Sequence, residues 1–197
     1  MAFSSSLHFI SLLLVFFSLF STAVNARVIA GVSVHDNLPA NAERPKLVLN
    51  GASIRKVFYV ADVYIGSLYL EKAETNADDI FADDGYKIMS FYMLRNVRGR
   101  SIATALKEAM QLNLTPEEVL GFEAEFEMLI NFLDRKMNEG ETGLFEYIPG
   151  VGSKVTTGDE VKGVIPGKAF YNAILSAWIG KQPVNGTMKD EILGLSD

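Results

Sequence analysis

The 197-residue sequence contains no cysteine, and this absence excludes several kinds of chemistry. Without a thiolate the chain has no disulfide, no cysteine nucleophile, no Cys-ligated zinc and no iron–sulfur cluster. Histidine is almost as scarce, since only His8 and His35 occur, so neither a multi-histidine metal site nor a histidine-based triad is expected. Gly150 and Gly152 precede a predicted strand rather than a helix, which indicates a turn and not a nucleotide loop. We therefore expect no metal and no cofactor, and assign no catalytic residue.

Basic charge is also scarce. The chain has 18 Lys and Arg against 24 Asp and Glu, which gives a net charge of −6. Non-specific nucleic-acid binding depends on Lys and Arg neutralising phosphates, so no nucleic-acid partner is expected. One acidic cluster lacks the spacing of an EF-hand loop, and we interpret it as a solvated loop. Its members are Asp78, Asp79, Asp83 and Asp84.

The first 26 residues carry no Asp, Glu, Lys or Arg. Residues 9–20 form an apolar run that only two serines interrupt. The run is shorter than the roughly 20 residues that cross a bilayer and fits the apolar region of a signal peptide. Val24 and Ala26 give a cleavage pattern, so we expect residues 1–26 to be removed after Ala26. Residues 27–197 would then be a secreted or periplasmic domain without a membrane span. An uncleaved N-terminal anchor is the alternative, because no basic residue precedes the run.

The rest of the chain has the size of one domain and alternates strand patterns with helix patterns, which indicates the α+β class. Asn50-Gly51 is a favoured hairpin turn, so we predict a turn there and one long strand over residues 55–70. Both faces of that strand are apolar, which predicts cover on both sides. Thr115 and Glu118 form a capping box at the start of a helix. Further strands are predicted at 28–34, 87–94, 143–147, 154–156 and 160–165, and helices at 102–110, 116–133 and 167–179.

Arg55 and Tyr64 are the candidate binding residues. Arg55 has apolar neighbours, so its charge must meet an anion or reach solvent. Tyr64 combines an apolar ring with a polar tip. Together they could hold one carboxylate, with a bidentate pair from the arginine and a single hydrogen bond from the tyrosine. Alternation along one strand puts them on opposite faces, so the site requires a bend or bulge. Otherwise Arg55 is a surface residue and Tyr64 a core residue.

Several segments together resemble the chalcone isomerase-like superfamily, and most of all its exported branch, which is found largely in bacteria. The resemblance covers most of residues 47–194 and depends on the order and spacing of the segments. It implies an open-faced β-sandwich, in which a large antiparallel sheet is covered by a layer of helices. The segments are 49–55 (LNGASIR), 63–70 (VYIGSLYL), 163–170 (GVIPGKAF), 178–183 (WIGKQP) and 192–194 (ILG).

The superfamily includes plant chalcone isomerases and fatty-acid-binding proteins, and the resemblance implies a ligand site. Arg55 matches an arginine that faces the ligand cleft in both groups. Tyr64 matches a tyrosine of the fatty-acid binders, where the isomerases have threonine, and a second pocket threonine of the isomerases falls at Ala177. We therefore expect non-catalytic binding of a small amphiphilic carboxylate, such as a fatty acid. The alternatives are an isomerase or intramolecular lyase in which Arg55 stabilises an oxyanion, and a structural or interaction protein without a ligand.

Overall fold

The structure is a computed structural model that describes residues 26–57 and 61–196. Residues 1–25 of the predicted signal peptide lie outside the described part, so its removal stays a prediction. Within the described residues no helix is both long enough and apolar enough to cross a bilayer.

The secondary structure is a mixture of strands and helices. The strands are β1 (Ala26–Ile29), β2 (Val32–His35), β3 (Asn37–Leu38), β4 (Leu47–Val57), β5 (Ala61–Leu70), β6 (Lys87–Met93), β7 (Val97–Arg98), β8 (Lys136–Met137), β9 (Thr142–Ile148), β10 (Gly152–Thr157) and β11 (Glu160–Pro166). The helices are α1 (Ala77–Ala82), α2 (Gly99–Gln111), α3 (Pro116–Gly121), α4 (Glu123–Leu133), α5 (Lys168–Ile179) and α6 (Gly186–Ile192).

One seven-stranded sheet organises the molecule, in the order β11-β10-β9-β6-β5-β4-β3. Every pair of neighbours is antiparallel. The larger core lies between one face of this sheet and the helices, and α5 supplies more of its buried residues than any other helix. A smaller core lies on the opposite face, where the β1–β2 hairpin packs. β5 is buried on both faces from Ile65 to Leu70, as the apolar faces predict, and half-buried from Ala61 to Tyr64.

The predicted turn at Asn50-Gly51 is wrong, because β4 continues through both residues, with a shift of its register against β5 between Leu49 and Gly51. A β-carbon on Gly51 would lie 2.1 Å from the backbone oxygen of Glu191, so glycine is required here for the close approach of α6. The Asn50 side chain donates to the backbone oxygen of Ile192 and accepts from the backbone N–H of Glu74. Both residues serve packing between segments rather than a reversal of the chain.

The predicted long strand over residues 55–70 is also wrong. The chain reverses between Val57 and Ala61, and β4 and β5 are antiparallel neighbours. Asn50 and Gly51, which predicted a turn, therefore lie within a strand. Residues 57–61, where the chain reverses, include no Gly, Pro, Asn or Asp.

The helices follow their local signals more closely. The capping box of Thr115 and Glu118 is present, and α5 ends at Ile179, the last residue of the predicted helix, with Gly180 as its C-cap. The single helix expected over 116–133 is instead two, α3 and α4, which meet at Phe122. The acidic segment interpreted as a loop contains α1, which the Asn76 side chain caps. Neither α1 nor α6 was predicted, and the strand expected at 28–34 is the β1–β2 hairpin.

Candidate functional site

Arg55 and Tyr64 lie directly opposite each other on β4 and β5. Residues paired in this way in an antiparallel sheet project from the same face and have neighbouring β-carbons. The expectation that they occupy opposite faces is wrong, because it assumed one continuous strand. The pairing register shifts between Arg55 and Lys56, so an irregularity is present, but the reversal of the chain is what brings the two side chains together.

Trp178 of α5 forms a hydrogen bond with the Tyr64 hydroxyl. The indole Nε1–H donates to the Tyr64 hydroxyl oxygen at 2.9 Å, and Trp178 is buried at 4% exposure. From the sequence, Trp178 is placed only within the predicted helix over 167–179 and the segment 178–183. No local pattern distinguishes an indole that contacts a strand residue far away in the chain from one that merely fills the core.

Aromatic rings fix the orientation of the tyrosine ring. Phe91 of β6 packs edge-on against Tyr64, with 5.4 Å between ring centroids. The same Phe91 ring lies 5.0 Å from Trp178 and 5.3 Å from Phe145. Edge-to-face and offset contacts of this kind stabilise aromatic pairs beyond the area they bury. The Tyr64 hydroxyl is therefore presented from a well-packed aromatic cluster.

Arg55 keeps most of its hydrogen-bonding capacity. One Nη1–H donates to the backbone oxygen of Lys56 at 2.6 Å, whereas a guanidinium has five N–H donors. Lys56 itself pairs with Asp62 at 3.5 Å. None of the ion pairs formed within residues 26–57 and 61–196 includes Arg55. A partly exposed arginine with unused donors is suited to bind an anion.

The ionisation of Tyr64 reflects its surroundings. Burial raises the pKa of Tyr64 to about 12, while the hydrogen bond from Trp178 and the positive charge of Arg55 act in the opposite direction. The phenol is therefore neutral at neutral pH and retains its hydrogen for donation.

A groove of about 720 Å³ runs along the outer edge of β4, between Ile29 of the β1–β2 hairpin and α6. Small-molecule sites have volumes of roughly 300–1,000 Å³. Arg55 and Lys56 supply positive charge to its wall. The remaining lining is mainly apolar or uncharged, with one acidic residue, and consists of Ala52, Ser53, Ile54, Val57, Val184, Asn185, Thr187, Met188 and Glu191.

Ala177 occupies the position at which the resemblance places a pocket threonine in the isomerases. It is fully buried in α5 at 0% exposure. Its methyl group brings no hydroxyl to the site, so this part of the isomerase constellation is missing from the chain.

Comparisons with known proteins place these features in a family. A family model described as chalcone isomerase-like matches residues 26–194. No curated protein matches the chain. Among solved structures, the chain is similar to a fatty-acid binding protein of Arabidopsis thaliana, with a TM-score of 0.69 and 16% identity. The similarity covers 86% of this chain and 96% of that one. At this identity the likeness concerns the fold, and it confirms the predicted sheet covered by helices.

Proposed function

The chain belongs to the chalcone isomerase-like family, and from this premise we propose that it binds an anionic amphiphile, such as a fatty acid, through the ligand's carboxylate. The observation that carries the proposal is the direct pairing of Arg55 with Tyr64, each with donor capacity that the described residues leave unused. The similarity in fold to a protein named as a fatty-acid binder supports the same class of ligand.

The chemistry of the two side chains is complementary to a carboxylate. Arg55 supplies a bidentate, charge-assisted pair, the strongest kind of hydrogen-bonded contact to such a group. Tyr64 adds one neutral hydrogen bond, because its raised pKa keeps the phenol protonated. The apolar tail then lies against the apolar part of the groove, which includes Ile54, Val57 and Val184. Charge fixes the head group, and apolar burial holds the tail.

The isomerase alternative uses the same arginine. Arg55 could stabilise an oxyanion in place of a carboxylate, since its free donors suit either group. Tyr64 and Ala177 stand where the resemblance expects threonines, which weighs against this alternative. Turnover of a chalcone by the purified protein would support the isomerase, whereas its absence together with fatty-acid binding supports the binder.

Native mass spectrometry tests the binding proposal without a choice of ligand in advance. We expect the purified protein to carry a co-purified mass that is released on denaturation and is identified as an organic acid. Titration with dodecanoate and dodecanol, which share a tail and differ in charge, should then give much tighter binding of dodecanoate. Equal affinity for the two compounds would contradict a carboxylate site. No binding of either would leave a structural or interaction role.

We also propose that the chain is exported and loses residues 1–26. The apolar run and the Val24 to Ala26 cleavage pattern support this. Cleavage after Ala26 preserves the ion pair of Arg27 with Asp36, whose Nε–Oδ1 distance is 3.1 Å. N-terminal sequencing of exported protein should begin at Arg27, and an intact Met1 would contradict the proposal.

A further inference from the structure

The chemistry of the two side chains decides which one donates in the hydrogen bond between Trp178 and Tyr64. An indole Nε1–H is a donor and has no acceptor capacity. The Tyr64 hydroxyl oxygen must therefore accept across the 2.9 Å separation. Hydroxyl hydrogens usually rotate between several partners, but this one is directed away from Trp178.

The hydrogen of Tyr64 therefore remains available for a ligand. The hydroxyl donates in none of the side-chain hydrogen bonds made within residues 26–57 and 61–196, where its one partner is Trp178. Arg55 lies directly across the strand pair. A ligand atom that accepts from Tyr64 therefore lies on the face of the strand pair from which Arg55 also projects, and Arg55, unlike Tyr64, is part of the groove lining.

We infer that Trp178 is a positioning residue, which fixes Tyr64 as a hydrogen-bond donor to the ligand head group. The inference rests on the proposed carboxylate site and states which head groups that site accepts. A head group made of acceptors, such as a carboxylate, satisfies both Tyr64 and Arg55. A cationic amine head group meets two donors and a positive charge, and is rejected.

The same bond also strengthens the donor. A hydroxyl that accepts one hydrogen bond is polarised and donates a stronger one, particularly in surroundings of low dielectric. The aromatic packing of Phe91 against both Tyr64 and Trp178 keeps the arrangement in place before a ligand arrives. Pre-organisation of this kind increases affinity because less freedom is lost on binding.

A double-mutant cycle separates positioning from ordinary packing. Tyr64→Phe, Trp178→Phe and the double variant are titrated with dodecanoate by calorimetry, and dodecylamine serves as the matched cationic probe. We expect each single variant to lose roughly fivefold in affinity, the value of about 1 kcal/mol for a neutral hydrogen bond. The double variant should lose no more than Tyr64→Phe alone. Dodecylamine should bind none of them.

A second variant removes the indole N–H but keeps the ring, so that loss of the hydrogen bond is separated from loss of packing in the core. Trp178 is the only tryptophan of the chain, so a tryptophan analogue with sulfur in place of the indole N–H can be incorporated at this position alone. It keeps the bicyclic ring and removes the donor. We expect it to weaken dodecanoate binding as Trp178→Phe does, while the folded structure is retained.

The single indole N–H resonance gives a readout that needs no ligand. Tyr64→Phe removes its acceptor, so the resonance should move and exchange faster with solvent. An unchanged resonance would overturn the inference. Additive losses in the double variant would also overturn it, while leaving the carboxylate site intact. Failure of wild type to bind dodecanoate would instead overturn the proposed function, and the inference with it.

Discussion

Both ends of the main sheet contain polar groups in apolar surroundings. The two ends differ in how far these groups have hydrogen-bond or ion-pair partners. At one end, near the start of β6, Lys87 is 1% exposed. Its ammonium donates to the backbone oxygens of Asp83 and Gly85 at 2.7 and 3.0 Å, and it pairs with the Asp83 carboxylate at 3.0 Å. At the other end, in hydrogen bonds between described residues, Arg55 uses one donor and the Tyr64 hydroxyl donates none. We call these the closed end and the open end.

The closed end contains a second complete network on the opposite face of the sheet. Glu146 is 5% exposed, accepts from the Tyr86 hydroxyl at 2.8 Å and pairs with Lys154 at 3.0 Å. Burial, together with the hydrogen bond to Glu146, raises the pKa of Tyr86 well above its ordinary value. At the closed end the described residues supply partners for the buried charges of Lys87 and Glu146, whereas the buried Tyr171 hydroxyl, whose ring packs on Tyr147, has no partner among them. Where donors are left over beside a groove, they are available to a ligand.

The largest effect on stability is expected at the closed end. Lys154→Met leaves the buried Glu146 carboxylate without its cation, and should lower the free energy of unfolding by about 3 kcal/mol. Affinity for dodecanoate should not change. Urea denaturation measures the free energy of unfolding, and calorimetric titration measures the affinity for dodecanoate. Lys162→Met is the matched control, because its partner Glu160 is largely exposed and such pairs contribute about 0–1 kcal/mol. Equal losses in both variants would contradict the comparison.

Arg55→Ala should lower the affinity for dodecanoate without lowering the free energy of unfolding. Charge-assisted hydrogen bonds contribute about 1.5–3 kcal/mol, so affinity for dodecanoate should fall roughly tenfold to a hundredfold. The free energy of unfolding should stay the same or rise, because the variant removes a charge that forms no ion pair within residues 26–57 and 61–196. Arg98→Ala is the control, because Arg98 is exposed and lies outside the groove lining, and it should leave the affinity unchanged. A stability loss with unchanged affinity would assign Arg55 to structure instead.

Tyr64→Phe should have a smaller effect at the same end. It removes one neutral hydrogen bond to the ligand, so affinity should fall about fivefold. Tyr92→Phe, at the end of β6 on the opposite face, should leave affinity unchanged. Calorimetric titration with dodecanoate measures both variants. A loss as large as that of Arg55→Ala would mean that the phenol, and not the charge, anchors the head group.

The smallest effect concerns the pH dependence of the closed end. Burial opposes ionisation of Asp83, but hydrogen bonds from Lys87 and Gly85 outweigh it and hold the pKa of this carboxyl below its ordinary value. A lowered pKa in the folded state contributes stability above the unfolded value of about 3.9, and that stability is lost as the pH falls through the folded value. The advantage of wild type over Asp83→Asn should therefore shrink between pH 5 and 3 in urea denaturation. A constant difference would contradict this assignment.

Helix caps and one hairpin were the local signals in the sequence that guided the fold correctly. The capping box at Thr115, the end of α5 at Gly180 and the hairpin at Gly158 between β10 and β11 each depend on residues a few positions apart, and the structure has all three. The reversal after Val57 escaped prediction because residues 57–61 contain no turn former. Gly51 misled the prediction because its glycine serves the packing of α6, a contact distant in sequence.

The candidate site could be predicted only in part. Arg55 and Tyr64 were identified from their residue types and apolar surroundings and then from the resemblance, and no periodicity placed them on one face. Their facing positions follow from the register of β4 and β5, which a sequence alone does not give. Trp178 lies 114 positions from Tyr64, so only the folded chain reveals their hydrogen bond.

The central claim is that Arg55 and Tyr64 hold a carboxylate anion, and the ionisation of the bound ligand tests it most directly. Dodecanoate labelled with carbon-13 at the carboxyl carbon reports its own protonation through its chemical shift. A nearby arginine and a donated hydrogen bond both favour the charged form of a carboxylate. The account predicts that the carboxyl bound to wild type has a pKa below that of the free acid, and that Arg55→Ala removes most of this difference. A bound carboxyl with a pKa equal to or above that of the free acid would contradict it.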